Sequence, residues 1–226
     1  MGTNKILNSS SFLPHQKPKK IIFMLHGYGD SADNFVHIAN HLNQIELEVN
    51  YIALNAPFPI INYSLGRQWF DLYPNGIYIS EAGSKEINII RSEILTSIKL
   101  IEKNITQILD TYQLTYKDCF LVGFSQGGMM TFEFGNYFKE ILGGLAILSG
   151  SIMSDELVNN IFLAKTPIFI SHGNLDEVLP IKAFYSACDY LSKNKLRFES
   201  HMMDGDSHTI SPEVIILLQK FIKKNV

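Results

Sequence analysis

Short strand-like segments, most of them apolar runs, recur along this chain, separated by segments of helical periodicity. Residues 21–25, 51–56, 119–123, 145–148, 167–172 and 196–201 read as strands, and 33–42, 87–112, 128–138, 181–193 and 212–224 as helices. A strand with apolar side chains on both faces must be covered on both sides, and a helix between strands is long enough for a parallel crossover. The longest helical pattern carries Ile87, Ile90, Ile94, Ile98, Ile101, Ile105 and Ile108, advancing by threes and fours, which directs one face onto a sheet. The alternation predicts an α/β chain with a mostly parallel sheet and helices on both faces. Residues 62–86 break the rhythm, being rich in Gly, Tyr and Ser, and read as a long loop over one edge, too short for a separate cap domain.

With 226 residues, 46% of them hydrophobic, the chain can bury one sizeable core, so a single domain over 1–226 is expected. There is no internal repeat, low-complexity tract or Pro-rich linker. A net charge of −3 with dispersed lysines argues against nucleic acid as a partner. No apolar stretch is long enough to span a bilayer, and the amino terminus lacks the pattern of a secretory signal. The two cysteines, Cys119 and Cys188, read as reduced thiols, which suits a cytoplasmic protein.

The pentapeptide Gly123-Phe124-Ser125-Gln126-Gly127 falls between a strand and a helix. A strand that turns sharply into a helix strains its pivot residue and presents it at the carboxyl edge of the sheet. Ser125 is therefore the candidate nucleophile. A serine hydroxyl needs a histidine base, and that base needs a carboxylate to set its tautomer. In this architecture the partners follow in the order Ser, acid, His. His208 lies in a polar loop between a strand and a helix and is the candidate base, whereas His172 and His201 lie on strands and read as structural. Asp176, just past the strand at 167–172, is the candidate acid, with Asp204, Asp206 and Glu177 as alternatives. The glycines around Tyr28 in His26-Gly27-Tyr28-Gly29 free its backbone N–H as one oxyanion donor, and Gln126 N–H is the other. His26 is expected to brace that loop.

These motifs together resemble the phospholipase/carboxylesterase family of α/β-hydrolases, which includes carboxylesterases and acyl-protein thioesterases. The matching stretches are 25–30, Asn55-Ala56-Pro57, 66–71, 123–128, His172-Gly173 followed by Asp176, and Ser207-His208. They run in family order over nearly the whole chain. The resemblance implies an α/β-hydrolase fold, Ser125, Asp176 and His208 as the triad, oxyanion donors at Tyr28 and Gln126, and no cofactor. Tyr28 departs from the family's usual aliphatic residue, and Glu177 stands where a proline often follows the acid.

The expected activity is cleavage of esters or thioesters with small to medium acyl chains, on a small ester or an acylated substrate, by a monomer or homodimer. A serine peptidase or acyltransferase on the same fold is the alternative, and a non-catalytic binding module a further one. Trp69 and Phe70 are expected to wall an acyl groove. No metal is expected, since Ile38 stands between His37 and His41 where a zinc-protease motif has Glu. No lysine follows Gly127-Gly128, which excludes a phosphate-cradling loop.

Overall fold

The computed structural model describes residues 6–43, 47–154, 157 and 161–225. The first five residues, on which part of the signal-peptide reading rests, lie outside the described residues. In chain order the elements are β1 (Ser9–Phe12), β2 (Lys20–Leu25), α1 (Ala32–Phe35), α2 (Ala39–Leu42), β3 (Val49–Leu54), β4 (Phe58–Ile60), β5 (Tyr63–Gln68), α3 (Ser84–Tyr112), β6 (Cys119–Phe124), α4 (Gln126–Tyr137), β7 (Gly144–Leu148), β8 (Ile168–Gly173), α5 (Lys182–Lys193), β9 (Phe198–Met203) and α6 (Pro212–Lys224).

All six segments expected as strands form strands, and they pair in parallel in the order β3-β2-β6-β7-β8-β9. Side chains alternate across β2 as a strand requires. Ile21, Phe23 and Leu25 enter one core with α3, α4 and α5, whereas Ile22 and Met24 enter a second with α1, α2 and α6. The isoleucine stripe on α3 is what holds that helix to the sheet. Ile90, Ile94, Ile98, Ile101 and Ile105 are each at most 7% exposed, and burying such a side chain contributes about 1.5–3 kcal/mol. Ser31 and Ser211 cap α1 and α6 by accepting from the amides of Asn34 and Val214. The chain is thus an α/β-hydrolase fold, with no separate cap among the described residues.

Three features differ from expectation. β1 adds an antiparallel edge strand to β3, and its polar Ser-Ser-Ser sequence carries no strand signal. The segment expected to be a loop folds in part: β4 and β5 pair as a hairpin, and α3 begins at Ser84, leaving Ile87 outside the buried stripe. The helix expected over 33–42 is split by a 3₁₀ turn at Val36–Ile38, where two β-branched residues weaken the α-helical preference.

The order of the sheet fixes where chemistry can sit. From β2 the chain goes to β3 on one side and then to β6 on the other, so loops leaving β2 and β6 diverge and open a crevice at their carboxyl ends.

Candidate active site

Ser125 occupies that crevice, between β6 and α4. Its backbone has φ 55° and ψ −119°, outside the regions ordinary residues adopt. The conformation is held because its N–H donates to Leu148 O at 2.9 Å, tying the turn to the end of β7. The flanking glycines are sterically obligatory. A Cβ on Gly127 would lie 2.0 Å from Leu25 O, and one on Gly123 would lie 2.1 Å from Gly127 O. The turn can therefore press against β2 only without those side chains.

His208 Nδ1 lies 2.7 Å from Asp176 Oδ2, with the carboxylate buried and the ring partly exposed. A carboxylate accepts, so the imidazole donates from Nδ1 and leaves Nε2 unprotonated. The other carboxylate oxygen accepts from the amides of Val178 and Leu179 at 2.9 and 2.8 Å. Neither rival aspartate meets the ring: Asp204 accepts from Asn174 Nδ2 at 2.6 Å, and one carboxylate oxygen of Asp206 is buried without a partner among the described residues. The ring of Phe124 packs on His208 with centroids 4.7 Å apart. The Ser125 hydroxyl makes no hydrogen bond to a described residue, and it shares a cavity with His208.

Tyr28 and Gln126 line the same cavity, and their amides donate to no described residue. For Gln126 this follows from its place at the first position of α4, where the N–H has no intrahelical acceptor. The loop carrying Tyr28 is held on both sides. Gly29 N–H donates to Arg67 O at 2.9 Å, Arg67 N–H donates to Asp30 O at 3.2 Å, and the Arg67 guanidinium reaches the carbonyls of Ala56 and Pro57. His26 braces the loop from beneath: Ala56 N–H donates to its Nε2 at 3.1 Å, so Nδ1 carries the proton and donates to Gly27 O at 2.7 Å. Burial pushes the His26 imidazole below its ordinary range, consistent with this neutral form. Burial and the nearby Asp71 carboxylate raise the Tyr28 phenol.

Trp69 and Phe70 are not where the sequence reading put them. Both are fully buried, and neither lines the cavity. Trp69 instead donates from Nε1 to His26 O at 2.9 Å. The Gln126 side chain accepts from Trp69 N–H at 2.9 Å and donates to Phe70 O at 2.7 Å. The pair packs the Tyr28 loop against the Ser125 turn. The groove expected of it belongs to other residues.

The cavity holds about 830 Å³, and its apolar wall is built by Leu72, Ile79, Met129, Met153, Val178 and Leu179. Tyr73 and Tyr78 add a ring pair at 5.2 Å. Sequence reasoning missed these residues because they come from four separate segments; only Met129, one helical turn from Ser125, had a spacing that could have flagged it. The wall segment around Met153 is anchored by Glu133 on α4, which accepts from Ser154 N–H at 3.1 Å and Oγ–H at 2.5 Å. Burial raises the Glu133 carboxyl above its usual range, against the opposing effect of those bonds. No cluster of metal-ligating side chains occurs among the described residues.

Comparison with known proteins identifies relatives of the whole fold. A family model described as phospholipase/carboxylesterase matches residues 10–226. Acyl-protein thioesterase 1 of Saccharomyces cerevisiae is 27% identical, over 93% of this chain and 95% of its own. Carboxylesterase SOBER1 of Arabidopsis thaliana is 28% identical, over 92% and 91% respectively. The crystal structure of esterase PE8 superposes with a TM-score of 0.80 at 22% identity, covering 98% of this chain and all of that one.

Proposed function

The chain belongs to the phospholipase/carboxylesterase family, and from that premise we propose a mechanism in which acyl groups pass through Ser125. The protein is a carboxylic ester or thioester hydrolase, as are the relatives it resembles. In the first step His208 Nε2 takes the proton of the Ser125 hydroxyl as the oxygen attacks the substrate carbonyl. The unbonded hydroxyl is free to turn toward Nε2, a contact that commonly tightens only when substrate is bound. The tetrahedral oxygen gathers negative charge and accepts from the Tyr28 and Gln126 amides, each such donor contributing about 3 kcal/mol. Asp176 stabilises the imidazolium, which then protonates the departing alcohol or thiol. Water repeats the sequence on the acyl-enzyme, releasing acid and restoring Ser125.

One observation carries this reading: a histidine held by a buried carboxylate at 2.7 Å faces the same cavity as a serine in a strained turn. The size and apolar wall of that cavity suit a small to medium acyl chain. Among the described residues no helix is long and apolar enough to cross a membrane, and Cys119 and Cys188 are unpaired, which favours a reducing compartment such as the cytosol. A fluorophosphonate should label the wild type and not Ser125→Ala, and that variant should lose about 10⁴-fold or more in kcat on a p-nitrophenyl ester. Retention of a tenth of the activity would overturn the assignment.

A further inference from the structure

We infer that His172 is a positioning residue for the reaction, fixing the acid turn from behind; this rests on the triad reading above. His172 stands near the carboxyl end of β8 and is 1% exposed. Its Nε2 lies 2.7 Å from Leu179 O and 3.3 Å from Asp176 Oδ2. A carbonyl oxygen only accepts, so a proton is on Nε2, which donates to Leu179 O.

The opposite nitrogen shows that packing does not account for this side chain. Nδ1 is buried and without a partner among the described residues. Such an atom is costly to keep, and an apolar ring of the same size would fill the space without it. The work of the imidazole is at Nε2. Asp176 Oδ1 gathers the Val178 and Leu179 amides, and His172 holds the Leu179 carbonyl, so the turn is fastened at both ends of one peptide-long span. The Nε2–H dipole also sits beside Oδ2, the oxygen that receives His208. Val178 and Leu179 line the cavity, so one hydrogen bond sets both the acid and a piece of wall. The titratable groups facing His172 are Asp176 and, through that carboxylate, His208. Helix α5 presents only the Phe184 ring, with centroids 6.1 Å apart, and β9 presents Met202 in register.

The test compares His172→Phe, which keeps the ring and loses the donor, with His172→Gln, whose amide can still reach Leu179 O. We expect the Phe variant to lose about tenfold in kcat on a small ester. Without the Nε2–H dipole, Asp176 Oδ2 holds the His208 proton more tightly, so the acidic limb of kcat/KM should move up by about half a pH unit. The Gln variant should recover most of both effects. The melting temperature of the Phe variant should stay near the wild type, because the unpaired Nδ1 is removed as well. Wild-type kcat and an unmoved limb in the Phe variant, or a Gln variant as impaired as the Phe one, would overturn the inference. If the Phe variant does not fold, His172→Asn, too short to reach Leu179, replaces it under the same criteria. Failure of a fluorophosphonate to label the wild type would instead condemn the triad reading.

Discussion

Gly127→Ala tests whether the nucleophile turn and the oxyanion loop are mechanically one object. The new Cβ would stand 2.0 Å from Leu25 O, 2.5 Å from Leu25 C and 2.7 Å from His26 O. All three are backbone atoms at the end of β2, so no side chain can swing aside. Bringing the nearest contact to about 3.0 Å requires roughly 1 Å of separation between α4 and β2. That displacement falls between Ser125 and Tyr28, which lies in the loop three residues past the end of β2. A misplacement of about 1 Å costs on the order of 10²-fold in rate, and losing one oxyanion donor costs about 10²–10³-fold. Overpacking adds about 1–3 kcal/mol of destabilisation. Steady-state kcat on p-nitrophenyl acetate should therefore fall by about 10²-fold or more, with a melting temperature several degrees lower. Fluorophosphonate labelling at saturating reagent should persist, more slowly, since Ser125 itself remains. A variant within threefold of wild type in kcat would refute the argument that these backbones touch.

The other predictions are briefer. Asp176→Asn should cost about 10⁴-fold in kcat by favouring the wrong tautomer of His208, and Asp206→Asn far less; the reverse ranking would move the acid to Asp206. Met129→Trp should narrow the cavity and cut kcat/KM on octanoyl relative to acetyl esters by about tenfold, each excluded methylene being worth up to about 0.8 kcal/mol; an unchanged chain-length profile would take the acyl chain off this wall. His26 has its folded pKa depressed by burial below 6.5, so the unfolded chain binds the proton first. Stability from His26 is therefore present above about pH 6.5 and is lost as pH falls below it toward the lower folded value. Urea midpoints should drop between pH 7.5 and 5.5 in the wild type and drop less in His26→Gln; equal slopes would exclude His26 as the source.

The sheet was legible because its central strands are buried on both faces and so appear as plain apolar runs, from Ile21–Ile22–Phe23 to Ile168–Phe169–Ile170. β1 was not, since an edge strand of serines gains its place from backbone pairing with β3 and leaves no mark in side-chain pattern. Strain at Ser125 was readable from its glycine neighbours, and the positions of Asp176 and His208 from their place after strand ends. The error over Trp69 and Phe70 has a plain cause. Two large aromatics near a polar stretch can face a ligand or a core, and only tertiary contacts, here with His26 and Gln126, decide which. Their burial also moved the acyl wall onto side chains too scattered to form a motif.

Gln126 joins two functions that could have been kept apart. In the proposed mechanism its amide faces the reacting carbonyl, while its side chain grips the main chain at Trp69 and Phe70, and Trp69 in turn grips His26. Thermal motion at the crevice must then carry the nucleophile, both donors and the hairpin end as a single raft. The outer segments that line the cavity, at Leu72, Met153 and Val178, lie outside that set of bonds. Changes in those outer segments can retune which acyl group is accepted without disturbing the alignment that breaks its bond.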